Sequence, residues 1–159
     1  MKFRILVPVL TLIVAGGLFF WHLNDDPELP RTPENLAGTW HLVREEGSET
    51  MYGRKSTWII EYRMAETEEE PADADEETYY EIWEFGTDNV CVKTEGRGEQ
   101  TLHTEYCGYG CSNDTIVLQD RDRTCYRIKK LTATQLVLSE TTVGPYGESD
   151  WTLTYVRPL

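Results

Sequence analysis

The stretch ENLAGTWHLVREE, residues 34–46, carries the pattern that decides the fold. Gly38 is followed two positions later by Trp40, and from there apolar and polar positions alternate. Trp40 and Leu42 fall on one face of an extended chain, His41 and Val43 on the other. Successive side chains of a pleated strand point to opposite sides, so this two-residue period predicts a strand with one buried face. Just ahead of it, Pro33 to Ala37 predicts one short helical turn, with the proline at its start.

The same period recurs along the chain. It places together Trp58, Ile60 and Tyr62; Trp83 and Phe85; Val90 and Val92; Ile116 and Leu118; Tyr126 and Ile128; Leu136 and Leu138; and Trp151, Leu153 and Tyr155. Turn-forming segments separate these runs: GTDN (86–89), GRGE (96–99), QDRDR (119–123), LTAT (131–134) and VGPYGES (143–149). After the first 35 residues no segment keeps a helical period for more than about two turns, so a βαβ unit is excluded. The expected fold is all-β: an up-and-down antiparallel β-barrel of eight or nine strands, with a sandwich as the other arrangement of the same signals.

The 159-residue chain uses its N-terminus differently. Lys2 and Arg4 precede residues 5–23, an apolar run whose one ionisable side chain is His22, and Asp25 and Asp26 follow it. As a helix the run measures about 28 Å, close to the hydrocarbon thickness of a bilayer. Positive charge before it and negative charge after it predict a cytoplasmic N-terminus and a domain on the far side of the membrane. The leading expectation is an uncleaved signal-anchor. A cleaved signal peptide with a small-residue site at 14–16 and a buried core helix are the alternatives. Because the first cysteine is Cys91, no lipid-attachment cysteine follows the run. The expected organisation is thus a signal-anchor or signal peptide over 1–23, a proline-rich tether over 24–35 and a barrel domain over 36–159. The barrel is placed on the extracytoplasmic, periplasmic side of the cell membrane, or secreted if the run is cleaved.

Net charge is −13. Nucleic acid requires a basic face, so nucleic-acid binding is excluded, and so is a domain lying on anionic lipid. Four cysteines in an exported domain predict two disulfides among Cys91, Cys107, Cys111 and Cys125. The glycines of CGYGC (107–111) favour a local Cys107–Cys111 loop, leaving Cys91 and Cys125 to pair, with the other connectivities open. Cys91 is in phase with Lys93, and Cys125 with Arg127, which points both away from the apolar face. A zinc site from all four meets the usual paired-cysteine spacing only once, so no metal and no cofactor are expected.

TPENLAGTW (32–40) resembles the start of a lipocalin, with its short turn and Gly-x-Trp on the first strand. The likeness extends to the small lipocalin-like domains of exported bacterial proteins through IWEFGTDN (82–89) and YRIKKLTATQLVLSE (126–140). It covers roughly residues 36–157. The resemblance implies that the turn closes one end of the barrel and that Trp40 packs there beneath a basic residue near the end of the last strand. In TYVRPL (154–159) that residue is Arg157. Gly38, Trp40 and Arg157 are therefore expected to close the barrel and to take no part in binding. The barrel portion is short for a full lipocalin.

Two functions compete on these grounds. In the first, inward aromatics Trp58, Tyr62, Trp83, Phe85, Tyr126, Trp151 and Tyr155 line a cavity for a small apolar molecule. In the second, those side chains fill a narrow barrel whose outer face and acidic loop engage a protein partner. A void above about 300 Å³ lined by Trp83, Phe85 and Trp151 would favour the first, and a solid interior the second. The membrane is a further expected partner, through the N-terminal helix. Residues 65–78 are dominated by acids and predict a long solvated loop, which lacks the spacing and glycine of a calcium loop. The histidines are His22, His41 and His103, and no nucleophile, zinc-protease or phosphate-loop motif is present, so no catalytic residue is expected. His103 near Glu105 is the one acid/base pairing the sequence offers.

Overall fold

The computed structural model describes residues 26–62 and 79–158. The apolar run and the acidic segment, including the carboxylates weighed for calcium, lie outside them. One helical turn, α1 (Pro33–Leu36), precedes β1 (Gly38–Met51), β2 (Arg54–Glu61), β3 (Tyr79–Phe85), β4 (Val90–Arg97), β5 (Gln100–Ser112), β6 (Thr115–Gln119), β7 (Cys125–Leu131), β8 (Gln135–Gly144) and β9 (Gly147–Val156). All pairings are antiparallel, and β1 also pairs with β9. Eight strands, β1 and β3 to β9, thus close an up-and-down barrel, and β2 is an extra strand. Closure leaves those eight strands without a free edge along their paired lengths, which is how this architecture satisfies its backbone.

The long β1 serves two neighbours on one side. Gly38 to His41 pair with β3, while Arg44 to Met51 leave β3 and pair with β2. The change occurs at a bulge, where the register against β9 shifts between Leu42 and Arg44, and the Val43 carbonyl accepts from the Tyr62 N–H at 2.9 Å. One extra residue reverses which side chains face inward. Before the bulge the inward set is Trp40 and Leu42; after it, Glu45 and Gly47. At Gly47 a methyl group would lie 2.6 Å from Trp58 Cζ2 and 2.7 Å from the Asp150 carbonyl oxygen, because Trp58 of β2 and Trp151 of β9 meet edge-on across it at 5.1 Å.

The closed end is built from the segment the opening motif begins. Trp40 is fully buried and donates from Nε1 to the Leu36 carbonyl at 2.8 Å. The Arg157 guanidinium lies 4.3 Å from the Trp40 ring centroid, and its Nη2 donates to the carbonyls of Asn35 (2.7 Å) and Ala37 (3.0 Å), capping the end of α1. Gly38 beneath it has φ +125, a conformation that L side chains rarely adopt. The expected tether does not stand free from residue 26 onward. Leu29 donates its N–H to Leu131 O at 2.8 Å and packs against the core, Arg31 pairs with Asp114, and Asp26 accepts from Thr134 Oγ1 at 2.6 Å. An apolar side chain and two charges with partners on the barrel hold these residues across its base.

Above the closed end the interior is solid. Leu36, Leu42, Phe85, Ile116, Leu118, Ile128, Leu131, Leu136 and Leu138 are buried in one cluster. Over them sits an aromatic layer in which Trp83 meets Phe85, Tyr126 and Tyr155 at centroid separations of 5.9, 5.2 and 5.1 Å.

The disulfide expectation is corrected: all four cysteines are free. CGYGC is not a loop but part of β5, with Cys107 and Tyr109 buried and Gly110 exposed. Four residues along a strand span about 13 Å, roughly twice the Cα separation a disulfide tolerates. Cys91 and Cys125 lie on strands separated by β5 and β6, the first buried and the second exposed. Cys91 faces inward, contrary to expectation, because Lys93, with which it is in phase, also faces inward. The strand partner of Cys91 is Cys107, whose thiol donates to the Cys91 carbonyl at 3.7 Å.

Candidate binding mouth

At the end opposite α1, inward positions change from apolar to charged, strand by strand. On β3 the inward sequence runs Phe85, Trp83, Glu81; on β4 it runs Cys91, Lys93, Glu95; on β8, Leu136, Leu138, Glu140; on β1, after the bulge, Glu45. Of these, Glu45, Glu81, Trp83, Lys93, Glu95 and Glu140, with Tyr126, Trp151 and Leu153, surround an open cavity of about 270 Å³. Its floor is aromatic and its walls carry four carboxylates and one ammonium. A larger depression of about 520 Å³ lies outside the barrel at the tip of the β1–β2 hairpin, lined from that hairpin alone.

Each charged group is held differently. Glu45 accepts from Trp58 Nε1 and from the Tyr62 hydroxyl, both at 3.2 Å, so β2 fixes one wall of the mouth. Burial and the Glu45 charge push the Tyr62 hydroxyl up to about 12. Glu81 accepts from the Tyr155 hydroxyl at 2.6 Å. Burial raises the Glu81 pKa above the ordinary carboxylate value, with the Tyr155 bond opposing it. Tyr155, fully buried, is itself pushed well up by burial and by Glu81, which keeps it a donor. Tyr126 is raised by burial and by Glu140 and Glu81.

Lys93 is only 15 % exposed; its Nζ lies 5.0 Å from the Trp83 centroid, 3.7 Å from Asp120 and 4.0 Å from Glu105. Although burial opposes it, Asp120 is held below its ordinary pKa by hydrogen bonds from the Thr124 N–H (3.0 Å) and hydroxyl (2.8 Å) and by Lys93. Lys93 is therefore neutralised from behind, and the glutamates of the mouth dominate its field. The Glu140 side chain makes no hydrogen bond or ion pair among the described residues. Trp83, 2 % exposed, has an Nε1–H with no hydrogen-bond acceptor, although it lies near Glu81 on the mouth side. Among the described residues no three His, Cys, Asp or Glu side chains converge closely enough to hold a metal ion.

Of the aromatics read from the sequence as cavity residues, Trp83, Tyr126 and Trp151 line the mouth. Phe85 and Tyr155 are in the solid layer below, and Trp58 and Tyr62 stand behind Glu45. The apolar void above about 300 Å³ bounded by Trp83, Phe85 and Trp151 does not form, because Phe85 packs against Trp83 and, at 5.0 Å, Tyr109; the mouth that does form is smaller, about 270 Å³, and walled by charged groups. The carboxylates were missed. The signal that finds Glu81, Glu95 and Glu140 is a charged residue continuing the inward phase of an apolar strand; Glu45 has no such signal because the bulge reverses its phase. His103 is exposed on β5 opposite Glu95, and the Glu105 carboxylate faces Lys93 rather than the imidazole. His41 points away from the interior, its pKa lowered by burial.

No protein-family model matches this chain, and no curated protein matches it.

Proposed function

We propose that this chain is a non-enzymatic, lipocalin-like binding barrel, held outside the cytoplasmic membrane by its N-terminal apolar run, whose mouth takes a small molecule. The observation that carries the reading is the division of the interior. A solid core fills the closed end, and a cavity of about 270 Å³ with aromatic floor and polar walls opens at the other. Concave sites with apolar surface and a few placed polar groups are where small molecules bind. The lipocalin likeness draws support from the antiparallel eight-strand closure and from Arg157 seated on Trp40 at the closed end. The ligand lays an apolar part on Tyr126 and Trp151. Native mass spectrometry of the full-length chain, purified from its source in mild detergent, tests this reading. A bound mass that is lost in Trp151→Ala supports it; a chain that carries nothing and binds nothing from a small-molecule library refutes it.

One observation favours a protein partner instead. Tyr52 (77 % exposed) and Tyr146 (63 %), from the neighbouring β1–β2 and β8–β9 turns, meet at a tilt with ring centroids 5.7 Å apart, near exposed Met51 and Val143 in sequence. Aromatic residues grouped on a surface are typical of the centre of an interface. In that reading the hairpin tips, rather than the mouth, are the binding surface.

A further inference from the structure

Resting on the mouth being a ligand site, we infer that its ligand is a small protonated amine that also carries a hydroxyl or carbonyl oxygen. Four carboxylates from four strands face the cavity, and Lys93 is already paired with Asp120 and Glu105. The site therefore presents an unbalanced negative field to whatever enters. Glu140 is a carboxylate with no partner of its own among the described residues, and an ammonium beside it would make a charge-assisted hydrogen bond. Among the described residues these carboxylates do not converge closely enough to hold a metal ion.

Trp83 supplies the second, independent requirement. Its indole is 2 % exposed, it lines the cavity, and its N–H, beside the Glu81 carboxylate that Tyr155 already engages, reaches no acceptor in hydrogen-bond geometry among the described residues. A buried donor left unpaired carries its full desolvation cost, which an acceptor oxygen on a ligand would remove. Trp83 lies at the floor and the free carboxylate at the rim, so oxygen and ammonium belong at opposite ends of one small molecule. Tyr126 and Trp151 flank the space between them and suit an apolar middle. The net charge of −13 draws cations toward the barrel and repels anions.

Three matched probes test this on the full-length chain in detergent micelles, read from the tryptophan indole N–H resonances with a micelle-only control. They are 2-amino-1-phenylethanol (ammonium and hydroxyl), 2-phenylethylamine (ammonium alone) and 1-phenyl-1,2-ethanediol (hydroxyls alone). The amino alcohol is expected to bind about tenfold more tightly than the diol and a fewfold more tightly than the amine. Glu140→Gln is expected to weaken both amines about threefold to tenfold and leave the diol unchanged. A diol that binds as tightly as the amino alcohol overturns the cationic class while leaving a ligand-binding mouth intact. Equal binding of the two amines overturns the acceptor requirement. Absence of any shift with all three probes at millimolar concentration overturns the inference and the ligand-binding reading together.

Discussion

Replacing Arg157 by alanine removes a well-defined set of contacts at the closed end. The guanidinium gives hydrogen bonds of 2.7 and 3.0 Å to the carbonyls of Asn35 and Ala37, and it covers the Trp40 ring at 4.3 Å. Hydrogen bonds from a charged donor contribute about 1.5 kcal/mol each at the low end of their range, and a partly desolvated cation–π contact about 1 kcal/mol. Against these stands Nε, buried without a partner, whose removal returns about 1 kcal/mol. Burial also lowers the Arg157 pKa, the same desolvation seen from the side of the charge. The net expectation for Arg157→Ala is a loss of about 3 kcal/mol, with Arg157→Lys near half of that because an ammonium keeps the charge but not the fork. Urea unfolding of the full-length chain, followed by tryptophan fluorescence and compared at equal slope, measures it. A double-mutant cycle with Trp40→Leu should return a coupling of about 1 kcal/mol for the ring contact. A loss below about 1 kcal/mol in Arg157→Ala would refute the assignment of Arg157 as the residue that holds α1 on the barrel.

Further outcomes follow from other contacts. Gly47→Ala should cost about 1–3 kcal/mol by overpacking, because the added methyl meets Trp58 at 2.6 Å and backbone at 2.7 Å, whereas Gly110→Ala, with nothing within 4 Å, should be close to neutral in the same urea unfolding experiment. The Glu81 pKa is raised in the fold, so the folded chain holds that proton more tightly than the unfolded one, and its contribution to stability is lost as pH rises from about 4.5 through the folded value. Glu81→Gln keeps the acceptor for Tyr155 and cannot ionise; its stability relative to the parent should therefore improve from pH 4 to pH 8, and a pH-independent difference would count against a buried ionisable Glu81. With a thiol-specific reagent, exposed Cys125 should react first and Cys91 only on unfolding, since burial and the neighbouring Cys107 push its thiol up to about 12. Peptide mapping without reduction should recover no Cys107–Cys111 crosslink, and finding one would contradict β5 as an unbroken strand.

The strand content was legible because each buried strand repeats with a period of two and ends at Gly, Asp or Asn turns. Even there, two features were read in the wrong sense. CGYGC has two glycines, which suggest a loop, yet its Cys-Tyr-Cys alternation is a strand pattern, and β5 follows the alternation. Lys93 looked like a surface residue and took Cys91 outward with it; inside, its charge is balanced by Asp120 and Glu105 and its ammonium lies over Trp83. Charge alone does not place a side chain outside when partners and a polar mouth are available.

Sequence by itself determined the all-β class, the position of every strand but β5 and, through the resemblance to lipocalins, the residues that meet at the closed end. The class and the strands follow from local periodicity and turn chemistry; the meeting of Trp40 with Arg157 is what the resemblance implied. Only the tertiary structure decided what the open end is made of. Glu45, Glu81, Glu95 and Glu140 are scattered over nearly a hundred positions of an acidic chain. They become one site because barrel closure sets their strands at a common height and the bulge after Leu42 turns Glu45 inward. Period two tells which residues share a face of one strand; register and closure, which are non-local, tell which faces meet.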